Sequence, residues 1–125
     1  KVLLYHLDEK WASPGDKRII IQTELGELSP IICMDINDDG CVQFLKNYSI
    51  KICAFCTNWV DEGTDVFWYW KARLIGFEGV FIAANSWGQD RDITFSGCSM
   101  IWSSEGQVVS SLGSEGNGVV FAETH

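Results

Sequence analysis

The chain has 125 residues, a formal net charge of −8, 46% hydrophobic and 21% charged residues, with six Trp and seven Phe to build a core. That length suits one domain. The acidic balance offers no basic stripe to neutralise phosphates, which argues against nucleic acid or an anionic membrane as partner, and no apolar run reaches the ~20 residues of a membrane span.

The chain opens on Lys1-Val2-Leu3-Leu4-Tyr5-His6, an apolar stretch too short for a secretory signal and followed at once by acids. It has no initiator Met, so it reads as a processed or incomplete product. After a turn at Pro14-Gly15, residues 17–23 and 29–33 read as strands around a second turn at Leu25-Gly26-Glu27.

The second of these runs, Ser29-Pro30-Ile31-Ile32-Cys33, stops at a thiol and breaks into the polar Met34-Asp35-Ile36-Asn37-Asp38-Asp39-Gly40. A cysteine at the end of a buried strand, just before a helix start, meets free backbone N–H groups that favour a thiolate and can hold an oxyanion. Taken alone, Cys33 reads as a core cysteine, the commonest fate of a free thiol. Asp35 and Asn37 read as residues that fix the turn rather than do chemistry.

Residues 39–48 read as a short helix with Cys41, Leu45 and Tyr48 on one face, and 50–56 as a strand apolar on both sides. A longer helix is expected over 64–77, with Val66, Trp70, Leu74 and Phe77 as its stripe, then a buried strand at Val80-Phe81-Ile82-Ala83-Ala84. From Thr94 on, three strands are expected, at 95–102, 107–110 and 118–122, separated by Gly-rich turns. The order is that of a layered α/β domain. Buried strands need cover on both faces and only two helices are available, so the chain reads as part of a larger sheet domain.

The five cysteines are odd in number and lack the spacing of a disulfide scaffold, which reads as reduced thiols in a cytoplasmic protein. Cys53-Ala54-Phe55-Cys56 has redox or zinc spacing but lies within an apolar strand. Residues three apart on a strand face opposite ways, so these two thiols are expected neither to share a metal nor to form a bridge. No metal and no cofactor are expected.

A wider pattern surrounds Cys33. Lys1 is followed eight residues later by Glu9, then by Trp11 and Pro14-Gly15, and Cys33 lies 24 residues beyond Glu9. A thiol attacking a carbonyl or nitrile carbon needs a carboxylate to take its proton, a cation for the oxyanion, and a group to orient that cation. Further on stand Thr57-Asn58-Trp59, Lys71-Ala72-Arg73, Ala83-Ala84-Asn85, Phe95-Ser96-Gly97-Cys98-Ser99 and Glu105-Gly106. In this order, and around Ile32-Cys33-Met34-Asp35-Ile36-Asn37, the chain resembles the carbon–nitrogen hydrolase (nitrilase/amidase) superfamily from residue 1 to about 122.

The resemblance implies an α-β-β-α sandwich, of which residues 1–125 would form roughly the middle and C-terminal portion. It implies Cys33 as nucleophile, Lys1 as oxyanion donor and Glu9 as the group that orients Lys1, with Trp11, Asn58 and Trp59 walling the pocket. The substrate would be a small amide, carbamoyl compound or nitrile, cleaved through a thioester. The family commonly self-associates, so a homo-oligomer is expected. The chain departs from the family pattern where Asp38-Asp39-Gly40 replaces Phe-Pro-Glu and where Gly76-Phe77-Glu78 follows the long helix. The general-base Glu of the family would lie upstream of Lys1, so a complementary N-terminal half is a second expected partner. Two further readings stay open: a non-catalytic relative or fragment that needs a partner chain, and an acyl-transfer enzyme using the same thioester.

Overall fold

Alternation of buried and exposed residues along the apolar runs turns them into strands that share one core face. Ile31, Phe55, Phe81 and Trp102 are all nearly inaccessible and belong to one hydrophobic cluster. The computed structural model describes residues 1–123. Its sheet consists of β1 (Ile21–Thr23), β2 (Gly26–Ile32), β3 (Ile52–Thr57), β4 (Val80–Asn85), β7 (Met100–Trp102) and β8 (Val108–Ser111), in the spatial order β1-β2-β3-β4-β7-β8. A separate hairpin pairs β5 (Trp87–Asp90) with β6 (Ile93–Ser96).

Strands β2, β3 and β4 run parallel, which requires a crossover between each pair. The crossovers carry α1 (Asp39–Asn47) and α2 (Val66–Arg73). Each helix is started by an aspartate: Asp38 accepts the Gly40 N–H, and Asp65 accepts those of Phe67 and Trp68. Both helices pack on the same face of the sheet, α1 through Cys41, Val42 and Leu45 and α2 through Val66 and Trp70. Aromatic rings fill the centre, with Phe55 edge-on to Trp70 at 5.3 Å and Phe81 stacked on Trp102 at 4.1 Å.

The other face of the sheet is left open. Ile32, Cys56, Ile82 and Ala84, brought into line by the β2-β3-β4 register, are all exposed there. Cys53 is fully buried and Cys56 exposed, as the strand alternation requires. Among the described residues, no helix is long and apolar enough to cross a membrane.

The C-terminal part differs from the sequence expectation in three respects. The run 95–102 is two strands in two different sheets, because Gly97 and Cys98 both adopt left-handed backbone (φ 62° and 56°) and break it. Trp87–Asp90 forms a strand that its Gly-Gln-Asp content did not suggest. Residues 118–122 carry no strand. The long helix is also shorter than its apolar stripe, because Leu74 leaves helical geometry and Gly76 turns at φ 88°. The first strand begins only at Ile21, and the second starts at Gly26, inside the expected turn.

Candidate active site

β2 ends at Ile32, and Cys33 takes left-handed backbone with φ 49°. A side-chain-bearing residue in that conformation is disfavoured by roughly 1–2 kcal/mol, so neighbours must hold it. Cys33 opens a 3-10 turn, Cys33–Asn37, that carries the chain from the strand end toward α1. The half-buried thiol therefore stands at a corner instead of entering the core.

Two sets of bonds fasten this corner. On one side, buried Asp35 accepts the Ile32 N–H through Oδ2 at 3.0 Å and those of Val2 and Leu3 through Oδ1 at 2.7 and 2.9 Å. On the other side, α2 supplies Tyr69, whose hydroxyl donates to Asn37 Oδ1 at 2.7 Å. One turn further along α2, Arg73 donates to the carbonyls of Ile36 (3.0 Å) and Asn37 (2.7 Å) and to Asp39 Oδ1 (2.8 Å). A planar guanidinium can serve three acceptors at once, which an ammonium on a flexible stem does poorly.

Because Asp35 holds Val2 and Leu3, Lys1 is brought to the Cys33 side of the sheet. Lys1 and Cys33 line the same wide trough at the C-terminal ends of the parallel strands. The Pro14-Gly15 turn closes on Lys1: the Gly15 N–H donates to the Lys1 carbonyl at 2.8 Å, and a Cβ at Gly15 would lie 3.0 Å from that oxygen. The Lys1 ammonium pairs with the Asp8 carboxylate, which also accepts the Tyr5 N–H at 3.1 Å. The hydrogen bond from Lys1 holds the Asp8 carboxyl below its ordinary 3.8.

Glu9 does not occupy the position expected of it. Asp8–Lys10 is a 3-10 turn, with successive side chains about 120° apart, so only one of two adjacent acids can face Lys1. Asp8 is the one that does, and Glu9 is exposed. The Lys-to-Glu spacing pointed to Glu9; nothing short of the turn type would have singled out Asp8.

Trp11 lines the trough but is 77% exposed, so it stands at the rim. A second cavity of about 270 Å³ opens on the other side of the thiol. Cys33, Tyr5, Asn58 and Val60 line both spaces, while Trp59, Tyr69 and Glu62 belong to the smaller one. Trp59 also packs edge-on against Trp70 (5.9 Å) and Phe55 (6.3 Å), so it is wall and core at once. Asn58 is exposed and accepts a hydrogen bond from the Ser86 hydroxyl.

The wall is fixed by Asn85. Its Oδ1 accepts the Trp59 N–H at 2.8 Å, and its Nδ2 donates to Ser96 Oγ at 2.8 Å and to the Gly97 carbonyl at 2.7 Å. The Ala-Ala-Asn and Phe-Ser-Gly stretches noted in the sequence are thus two halves of one clamp. Tyr5, Glu62 and Tyr69 went unremarked as pocket residues. Tyr69 was hidden in an aromatic run on the helix, and the other two lie in irregular segments where periodicity gives no direction.

Of the four remaining thiols, Cys56 is exposed and the other three are affected by burial. Burial pushes Cys41 up to about 11 and Cys53 well above its ordinary value, and burial also raises Cys98. Among the described residues, no three His, Cys, Asp or Glu side chains converge as metal ligands would.

Known proteins share the fold described above. The family described as carbon-nitrogen hydrolase matches residues 4–125. A probable nitrilase of Schizosaccharomyces pombe is 28% identical over 122 residues, covering 96% of this chain and 44% of that protein. An amidase from Nesterenkonia sp. superposes with a TM-score of 0.80 at 25% identity, over 92% of this chain and 45% of that one. The same score and identity hold for a variant of that amidase whose active-site cysteine carries the acetamide moiety of fluoroacetamide. The chain therefore has the α/β fold of nitrilase-superfamily amidases and spans less than half the length of the relatives it matches.

Proposed function

Because this chain belongs to the carbon–nitrogen hydrolase family, we propose that it supplies the nucleophile to a site that hydrolyses small amides, carbamoyl compounds or nitriles rather than peptide bonds. The observation that carries this reading is the corner at Cys33. A thiol held at left-handed backbone opens into two cavities, one of which also receives an ammonium paired with a carboxylate.

In this reading Cys33 Sγ attacks the carbonyl carbon, forming a C–S bond while the carbonyl electrons move to oxygen. Lys1, with the backbone N–H following Cys33, donates to that oxyanion. Collapse breaks the C–N bond, the leaving nitrogen takes a proton, and a thioester remains. Water then adds to the thioester, releasing the acid and restoring the thiol. Asp8 aims Lys1 through their ion pair, the role the resemblance gave to Glu9. Trp11, Asn58 and Trp59 shape the walls.

The carboxylate that takes the thiol proton comes from polypeptide outside these residues. Two observations support this: the open apolar face at Ile32 and Ile82, and the chain's coverage of only 44–45% of its relatives. A second α/β layer pair on that face would complete the sandwich. A thiol nucleophile must stay reduced, which fits a cytoplasmic setting.

The test is ammonia release from short aliphatic amides by the protein at native length, with hydroxylamine present to capture acyl groups as hydroxamates. Cys33-dependent ammonia and hydroxamate support the proposal. Turnover unchanged in Cys33→Ala, or none by the wild-type protein on any amide, carbamoyl compound or nitrile offered, contradicts it.

A further inference from the structure

Resting on the hydrolase reading, we infer that the molecule this site accepts carries a positive charge at the end remote from its carbonyl. The smaller cavity holds about 270 Å³, the liquid volume of roughly nine waters, enough for a carbonyl group and a chain of a few atoms. Cys33 stands where it meets the trough. Among the described residues lining this cavity, Glu62 is the only charged one, and no Lys or Arg accompanies it.

The rest of the lining suits a cation as well. Tyr5, Trp59 and Tyr69 present aromatic rings to the same space, Trp59 and Tyr69 with centroids 5.3 Å apart. Ring faces attract ammonium and guanidinium groups, and a carboxylate among them adds a counter-ion. The trough differs in carrying an ammonium, Lys1, held in an ion pair with Asp8. A substrate with one positive end is thus oriented: carbonyl toward Lys1, cation toward Glu62. A negatively charged tail would meet Glu62 with no compensating base.

Glu62 sits on a loop that is anchored on both sides. The Asp61 N–H donates to the Thr94 carbonyl at 2.7 Å, the Gly63 N–H donates to Asp61 Oδ1 at 2.9 Å, and the Trp59 N–H is held by Asn85. The carboxylate is therefore presented at a defined place, although it is exposed. Exposure keeps the effect modest, on the order of tenfold in affinity for cation over neutral isostere.

Binding can be read without catalysis. With the Cys33→Ala protein at native length, calorimetry would compare γ-aminobutyramide, valeramide and glutaramate, which differ only in the end group. The expected order is amine, then neutral, then acid, with Glu62→Gln reducing the amine's advantage over valeramide to about threefold or less. Equal binding of amine and neutral amide, no binding of either, or an advantage that survives Glu62→Gln unchanged would overturn the inference. Turnover by the Cys33 protein decides the hydrolase reading separately: hydrolysis of all three at one rate would sink the cation preference and leave the hydrolase intact.

Discussion

Asp35 accepts the backbone N–H of Val2 at 2.7 Å, so a carboxylate on the nucleophile's own turn fixes the segment that begins with Lys1. The same carboxylate holds Leu3 and the strand residue Ile32. Cation and thiol are thus set relative to each other by one buried group that need touch no substrate. Asp35→Ala would leave three part-buried N–H groups unpaired, each at the low end of about 1–3 kcal/mol. Urea unfolding is expected to show a loss of about 3 kcal/mol, and acylation of Cys33 to slow sharply. Asp35→Asn keeps one acceptor oxygen and should lie between. An unaltered acylation rate in folded Asp35→Asn would mean that Lys1 does not depend on this anchor.

Asp8 and Glu9 are neighbours with different surroundings, one on Lys1 and one in solvent. Asp8→Asn is expected to lower kcat about tenfold through the misdirected ammonium, and Glu9→Gln by less than twofold. The reverse order would return the orienting role to Glu9. The pH sign follows from the lowered Asp8 carboxyl: the ion pair stabilises the fold above the ordinary 3.8 and is lost as pH falls through the depressed value. Acid unfolding of Asp8→Asn should lack this contribution.

Arg73 holds the far end of the Cys33 turn through the Ile36 and Asn37 carbonyls. Arg73→Lys keeps the charge and loses the fork, so about 1–2 kcal/mol of stability should go, with kcat falling and KM nearly unchanged. A change confined to KM would mean that the guanidinium bears on substrate binding rather than on the turn.

How far the sequence showed these relations depends on the kind of signal. β2, β3 and β4 were legible because Ile31, Phe55 and Phe81 sit in short apolar runs between helical stretches, and burial enforces that pattern. Cys33 was legible because a thiol where an apolar run meets a polar turn is a local feature. The break at Gly97-Cys98 was not, because Phe95 to Trp102 is apolar enough for one strand and only the left-handed backbone divides it. Asp8 and Glu62 were hidden for a related reason. Which way a side chain points in an irregular turn is set by tertiary bonds, here to Lys1 and through Asp61 to Thr94.

Cys41 is a buried thiol raised to about 11 from an ordinary 9.0. A folded value above the unfolded one means that stability is fully present below pH 9 and declines as pH rises toward 11. Urea midpoints measured from pH 8 upward should fall across this window, and Cys41→Ala should fall less steeply, from a lower starting stability. Parallel slopes for the two proteins would remove Cys41 as a source of the decline.

The rate of iodoacetamide labelling of the protein at native length, followed by intact mass across pH and compared with Cys33→Ala, tests the role of Cys33 most directly. Fast labelling that persists well below pH 8 and is absent from Cys33→Ala is the expected result, over a slower adduct at exposed Cys56, since Cys41, Cys53 and Cys98 are held protonated by burial. Slow labelling spread over several cysteines, unchanged by Cys33→Ala, would contradict an activated nucleophile at this corner.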